Sequence, residues 1–290
     1  MGGFFNFGIA IDTNKNGPGV FRDGEIYLNG VIETDRGVTF RTRVEVEATS
    51  STDFIDEAYA IAETRWGDFK IGGDDSAKGR YQNGVIYAAG GRVGYYDHFT
   101  VVDDDAVGGA RGGGDPVGVY YDSPDLSGFR FGLSYHPDAD ADGSSTATNR
   151  GDSNAPVFAR DEQFGVGAVY EREWRDGGFG VSAGWLKSDA APTAWHVGGN
   201  FQYAGLTIAG IYEDDGSDEF AIGALYETGP WDFGAGMSID YVGGDDDQVI
   251  GAWISYQLAP GLAATAGAEH HDTSAGNRAV GASFTIRALF

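Results

Sequence analysis

Few residues in this 290-residue chain have types and spacings suited to making or breaking bonds. Gly180-Val181-Ser182-Ala183-Gly184 has the G-x-S-x-G spacing of a nucleophile elbow, which needs a strained strand-to-helix turn to expose its serine. Here Phe179, Val181, Ala183 and Trp185 carry an uninterrupted alternation through the motif, so Ser182 reads as one polar position of a strand. The histidines at 98, 136, 196, 270 and 271 have neither triad nor metal spacing, and the absence of cysteine removes thiol chemistry. Two loops offer oxygen atoms at alternate positions, as a calcium loop does: Asp12, Asn14, Asn16 and Asp23, and then Asp138, Asp140 and Asp142. Neither supplies the bidentate glutamate, and Pro18 interrupts the first, so a merely solvated acidic loop competes with a structural Ca²⁺ and no cofactor is required. One further constellation remains: Arg41, Arg43, Glu45 and Glu47 alternate with Phe40, Thr42, Val44 and Val46. Such a row places fixed charges on one face of a strand, where they shape a field rather than catalyse a reaction. The expectation is that this is not an enzyme.

The element beneath that row recurs along the whole chain. Phe129, Phe131, Leu133 and Tyr135 alternate with small or polar residues, as do Phe164, Val166, Ala168 and Tyr170. The pattern returns in Trp231, Phe233, Ala235, Met237, Ile239 and Tyr241, and in Val280, Ala282, Phe284, Ile286, Ala288 and Phe290. Period two means strands, and aromatics at the ends of apolar rows suit a bilayer crossing. Sixteen strands are expected, at about 2–11, 22–33, 38–48, 54–63, 68–73, 116–122, 128–136, 162–173, 178–187, 193–203, 206–213, 218–227, 231–241, 248–258, 262–271 and 278–290. Tight Gly-, Pro- or Asp-bearing turns such as Thr34-Asp35-Arg36-Gly37 alternate with longer acidic connections, among them 74–115, 137–160 and 242–247. No helix-period segment emerges. The fold class expected is all-β: one closed antiparallel transmembrane barrel over 1–290, with short periplasmic turns, long external loops and water inside. A soluble all-β binding protein would alternate as well. It would turn its apolar face inward.

Composition agrees with a barrel. Glycine occurs 48 times and aromatics reach 13%, against an average glycine content of about 7%. No run of about 18 apolar residues exists, so no helix would span a bilayer. The formal net charge of -25 excludes nucleic acid as a partner. Met1-Gly2-Gly3-Phe4 opens directly into a strand pattern without a basic leader, as expected of a mature form carrying an added initiator Met or of a truncated chain.

The chain resembles the general porins of the Gram-negative outer membrane, most closely the alphaproteobacterial type. The resemblance rests on the order of several segments. These are Gly24-Glu25-Ile26-Tyr27-Leu28-Asn29-Gly30, Thr34-Asp35-Arg36-Gly37-Val38-Thr39-Phe40, Ile55-Asp56-Glu57-Ala58-Tyr59 and Arg65-Trp66-Gly67-Asp68-Phe69-Lys70-Ile71-Gly72-Gly73. Val119-Tyr120-Tyr121-Asp122-Ser123-Pro124, Gly128-Phe129-Arg130-Phe131-Gly132-Leu133-Ser134-Tyr135 and the terminal Phe290 complete it. The Pro-Glu-Phe-Gly-Gly loop tip of enterobacterial porins is missing.

The resemblance implies a homotrimer and a constriction loop, here about 74–115, folded into the lumen after the fifth strand. It implies a basic wall of Arg22, Arg41, Arg43, Lys70 and Arg130, with Glu45 and Glu47 in the same row. The facing acids would be Asp74, Asp75, Asp97, Asp103, Asp104 and Asp105. In the competing reading the arginines simply pair with Glu45 and Glu47 and the loop acids are solvated. The function implied is passive diffusion of small hydrophilic solutes and ions. The charge balance adds a preference for cations, and lipid and lipopolysaccharide would surround the barrel. A substrate-selective channel is the alternative.

Overall fold

A computed structural model describes residues 1–49, 54–84, 116–138, 160–189, 191–242, 245–272 and 278–290. The first strands are β1 (Gly2–Asp12), β2 (Gly19–Glu33), β3 (Thr39–Glu47), β4 (Ile55–Thr64) and β5 (Gly67–Gly73). A four-residue helix, α1 (Ala77–Arg80), follows them. Next come β6 (Val117–Asp122), β7 (Phe129–His136), β8 (Gln163–Trp174), β9 (Gly177–Ser188), β10 (Ala194–Tyr203) and β11 (Leu206–Asp214). The last are β12 (Asp218–Thr228), β13 (Trp231–Val242), β14 (Asp245–Ala259), β15 (Leu262–Asp272) and β16 (Arg278–Leu289). Each strand pairs antiparallel with its neighbour in sequence, and β16 pairs back onto β1, so sixteen strands close a barrel with no free edge. At the seam Gly3 N–H donates to Phe290 O at 3.0 Å and Phe290 N–H to Gly3 O at 3.1 Å.

The turns follow from their residues. Ala204 and Gly205, with φ of 50° and 84°, form the two-residue loop between Tyr203 and Leu206. Positive φ at both positions is what a type I′ hairpin requires. Asp245–Asp247, expected in a loop, instead belongs to β14 and pairs with Asp240–Val242 of β13. α1 is likewise absent from the expectation, since four residues are too few to show a 3.6-residue period.

The alternation resolves into an outer and an inner face. On β1, Phe7, Ile9 and Ile11 are 53, 55 and 57% exposed, while Ala10 and Asp12 between and beyond them are 3 and 7% exposed. Every long strand repeats this: Val166, Val181, Val197, Ile208, Ile222 and Ile254 all face out. The apolar surface therefore meets lipid, and among the described residues there is no dry core for it to fill, which removes the soluble-sandwich reading. One irregularity explains the mixed pattern of β4. The β3–β4 register shifts between Val44 and Val46, so Asp56 and Glu57 interrupt the alternation before Ala58 resumes it.

Candidate functional site

The inner face of β2–β5 carries the predicted charge row. Arg41, Arg43, Glu45 and Glu47 stand opposite Val31, Asn29, Tyr27 and Glu25 of β2, all on the lumen side. Arg41 Nε lies 2.5 Å from Glu63 Oε1 on β4. Arg43 pairs with Glu45, and its guanidinium sits 4.1 Å from the centre of the Tyr27 ring. Lys70 on β5 pairs with Asp74 and lies 4.1 Å from the Tyr59 ring centre. Each base is thus neutralised locally, as the pairing alternative anticipated for Arg43. The acids outnumber the bases here: Glu25, Glu47 and Asp56 bring carboxylate oxygens within 4.8 Å of one another.

Across the lumen, residues 74–84 leave β5 and lie against the inner wall of β7–β11. The family-implied insertion after the fifth strand is therefore present in its described part. Asp74 anchors the start: its carbonyl accepts the Tyr120 hydroxyl at 2.6 Å. Ser76 caps α1, its Oγ accepting Gly79 N–H at 3.4 Å. Ala77 N–H donates to Ser134 Oγ on β7 at 2.9 Å. Lys78 pairs with Glu213 of β11, with both side chains no more than 2% exposed. Arg80 Nη1 donates to Asp122 Oδ2 at 2.6 Å, its Nε donates to Asp75 O at 3.1 Å, and Asp74 stands 3.6 Å away. Burial opposes the Arg80 charge, but the hydrogen bond and charge of Asp122, with Asp74 behind it, outweigh that and raise its pKa above the usual value. Tyr81 donates to Asp122 Oδ1 at 3.0 Å, and burial followed by the Asp122 charge pushes its phenol up. Asn83 N–H donates to Ser182 Oγ at 2.8 Å, and that hydroxyl donates back to Asn83 O at 3.2 Å.

Backbone can approach the wall so closely because the wall lacks side chains there. A Cβ on Gly167 would strike the carbonyl oxygen of Ala77, and one on Gly198 the carbonyl oxygen of Asn83. This contact also decides the fate of the G-x-S-x-G motif. Ser182 sits in the middle of β9, paired with Val169 and Gly198, and its hydroxyl docks Asn83 instead of standing on a nucleophile turn. Arg130, predicted for the basic wall, faces the lumen beside this segment and bonds Glu171 Oε2 at 2.6 Å. Next to it a cavity of about 480 Å³ is lined by Asp68, Arg80, Asp122, Arg130 and Glu171 among others, a surface suited to water.

Other expected residues lie elsewhere. Arg22 is a correction: it pairs in register with Phe7, an outward residue, and so faces lipid, while Asp23 beside it faces the lumen. The polar-equals-inward assumption failed there. The first calcium grouping is also corrected. Asp12 Oδ1 accepts Asn14 N–H at 2.6 Å and Asn16 is exposed, but Asp23 pairs with Asn6. Six residues of β1 separate that level from Asp12, roughly 20 Å at a strand's rise, so Asp23 does not share an ion with Asp12. Asp138 is buried; Asp140 and Asp142 lie outside the described residues, as do Asp97, Asp103, Asp104 and Asp105. Lys78 and Glu213 were not anticipated. The glycines opposite them were the only signal: inward glycines at 132, 165, 167, 184 and 198 mark a wall stripped for a close neighbour.

Comparison with known proteins places this architecture. The family described as Gram-negative porin matches residues 1–276. Variants of the Rhodopseudomonas blastica porin share the fold: two are 18% and 19% identical with TM-scores of 0.66, covering 100% of this chain and 99% of theirs. A triple mutant of the same porin gives 0.67 at 18% identity, again covering 100% and 99%. No curated protein matches the sequence. The lipid-facing barrel, the inserted segment and the family match agree, and the chain belongs to the Gram-negative porins, channels of the bacterial outer membrane.

Proposed function

We propose that this porin is a passive diffusion channel for small hydrophilic solutes and ions that favours cations, and that it does no covalent chemistry. The observation that carries the preference is the charge balance of the lumen wall. Arg41, Arg43, Lys70, Lys78, Arg80 and Arg130 each lie against a carboxylate. Glu25, Glu47 and Asp56 bring three carboxylates within 4.8 Å of one another on the same wall, and the chain as a whole carries -25. Fixed negative charge in a narrow aqueous passage concentrates cations and depletes anions. The effect weakens as salt shortens the Debye length, from about 10 Å at 0.1 M to about 3 Å at 1 M.

The test is the reversal potential across a planar bilayer under a potassium chloride gradient. The sign should report cation excess, and the excess should shrink at high salt. In the triple variant E25Q/E47Q/D56N the cation-to-anion permeability ratio should fall by roughly two- to threefold. An anion-selective wild type would overturn the reading. The family resemblance also supports a homotrimer, which would run on gels as a heat-sensitive oligomer.

A further inference from the structure

Arg287 faces the lumen with no carboxylate at ion-pair distance among the described residues. Ser283 and Thr285 of the same row of β16 are buried, while Phe284 and Ile286 between them face out, so Arg287 points inward. It stands opposite Asn6 of β1 and Ala263 of β15, and neither carries charge. Its guanidinium lies 4.8 Å from the centre of the Phe4 ring, and its Nε is buried without an acceptor. Arg41, Arg43, Lys70, Lys78, Arg80 and Arg130 all lie against acids. Arg287 alone among these lumen bases keeps its charge and its remaining N–H donors for a solute.

Phe4 also marks what lies beyond it. Glu25 of β2 is in register with Phe4, and Glu47 of β3 is in register with Glu25. Neither glutamate has a base at ion-pair distance among the described residues. The ring thus stands between a cation on β16 and carboxylates on β2 and β3, and keeps them from collapsing onto one another. Two strand spacings hold the rows of Arg287 and Glu25 roughly 10 Å apart. A charge-assisted hydrogen bond at each end takes about 2.8 Å and leaves about 4 Å, the scale of the ammonium-to-carboxylate span of one small amino acid. An anion alone would gain Arg287 and meet the repulsion of Glu25 and Glu47, and a cation alone would meet the reverse. A zwitterion is attracted at both ends. We infer that Arg287, Phe4 and Glu25 form a binding site on the lumen wall for a small amino-acid zwitterion, carboxylate on Arg287 and ammonium on Glu25. The site rests on the channel reading and gives that channel a preferred class of solute.

The experiment records single channels of wild type, R287Q, R287K and E25Q in planar bilayers in potassium chloride. Glycine is titrated in, with acetate and methylammonium as its two separate halves. Glycine should depress the wild-type current, with a half-maximal concentration at least fivefold lower than in R287Q or in E25Q, and R287K should fall between. Each half alone should need at least fivefold more than glycine. An open-channel current before any addition shows that each variant has formed its barrel, and the wild-type reversal potential without glycine reads the channel proposal separately. If cation excess stands while glycine acts alike on wild type and R287Q, this inference fails and the channel reading survives. Acetate as potent as glycine, or a glycine response unchanged in E25Q, would overturn the inference by making Arg287 a simple anion site. Methylammonium as potent as glycine would overturn it by leaving only the acids in play.

Discussion

Along β2–β4 the inward positions carry Glu25, Tyr27, Arg41, Arg43, Glu45, Glu47 and Tyr59, whereas along β7–β10 they carry Gly132, Gly165, Gly167, Gly180, Gly184 and Gly198. Both walls obey the same two-residue alternation and the same outward apolar rule. They differ only in the bulk and charge of the inner row. The first wall leaves its charges beside the aqueous passage, each cation locked to a near neighbour in the sheet. The second is opened by glycines so that residues 74–84 can lie on it between the remaining side chains, and there Lys78 reaches a carboxylate 135 residues away. In the proposed channel, selectivity and aperture would then fall to different sides of one barrel: charge would set the field on one, and glycine sets the depth at which residues 74–84 lie on the other.

The contrast breaks most sharply at Lys78. Lys78→Met leaves Glu213 buried without its cation, a loss of about 3–5 kcal/mol for a buried pair missing one member. The barrel ladders are untouched, so the cost falls on the docking of residues 76–84. Protease cleavage within that segment should quicken by about a hundredfold or more, with the barrel otherwise intact. The double variant K78M/E213L should return most of the protection, because two apolar partners remove the orphan charge. Unchanged cleavage in K78M would mean that the pair does not hold the segment.

Gly198→Val tests the stripped wall from the other side. Its side chain would occupy the place of the Asn83 carbonyl, and forced repacking costs about 1–3 kcal/mol. The segment should shift away from the wall and alter single-channel conductance. Asn29→Val, an inward replacement on β2 with no described residue of the inserted segment over it, should stay within about 0.5 kcal/mol of wild type and conduct alike. If both variants behave alike, the two walls do not differ in the way described.

Much of this was readable in the chain because strands report locally. The rows Phe129–Tyr135 and Phe164–Tyr170 fix their own faces, and their expected limits differ from the observed ones by about a residue. What escaped depends on pairing across distance. Arg22 looks like a lumen residue until its register with Phe7 is known. Asp12 and Asp23 look like one loop until β1 and β2 carry them apart. The Lys78–Glu213 pair has no local pattern, since its members sit on an inserted segment and on β11. The glycines beneath the segment were visible from the start, but glycine in a strand equally suits a bend, a bulge or a close approach, and only the docked backbone decides among them.

The smallest expected loss of docking lies at Tyr81, which closes the berth near Asp122. Its single hydroxyl proton is donated to Asp122 Oδ1 at 3.0 Å, with Phe131 O an alternative acceptor at 3.1 Å. Tyr81→Phe removes that bond but keeps the ring against Gly132, so docking should weaken by about 0.5–1.5 kcal/mol. The sign with pH follows from the raised phenol. Burial and the Asp122 charge hold Tyr81 protonated longer in the docked state than in a free chain, where tyrosine titrates near pH 10 (about). The stabilisation is therefore complete below that pH and falls as pH rises toward the docked value. Cleavage of the segment should differ between wild type and Y81F at pH 8, and the difference should narrow at pH 11. A gap that widened with alkali would show that the phenol is not donating to Asp122, and would shift the hold on this end of the segment to Arg80 and its bond to the same carboxylate.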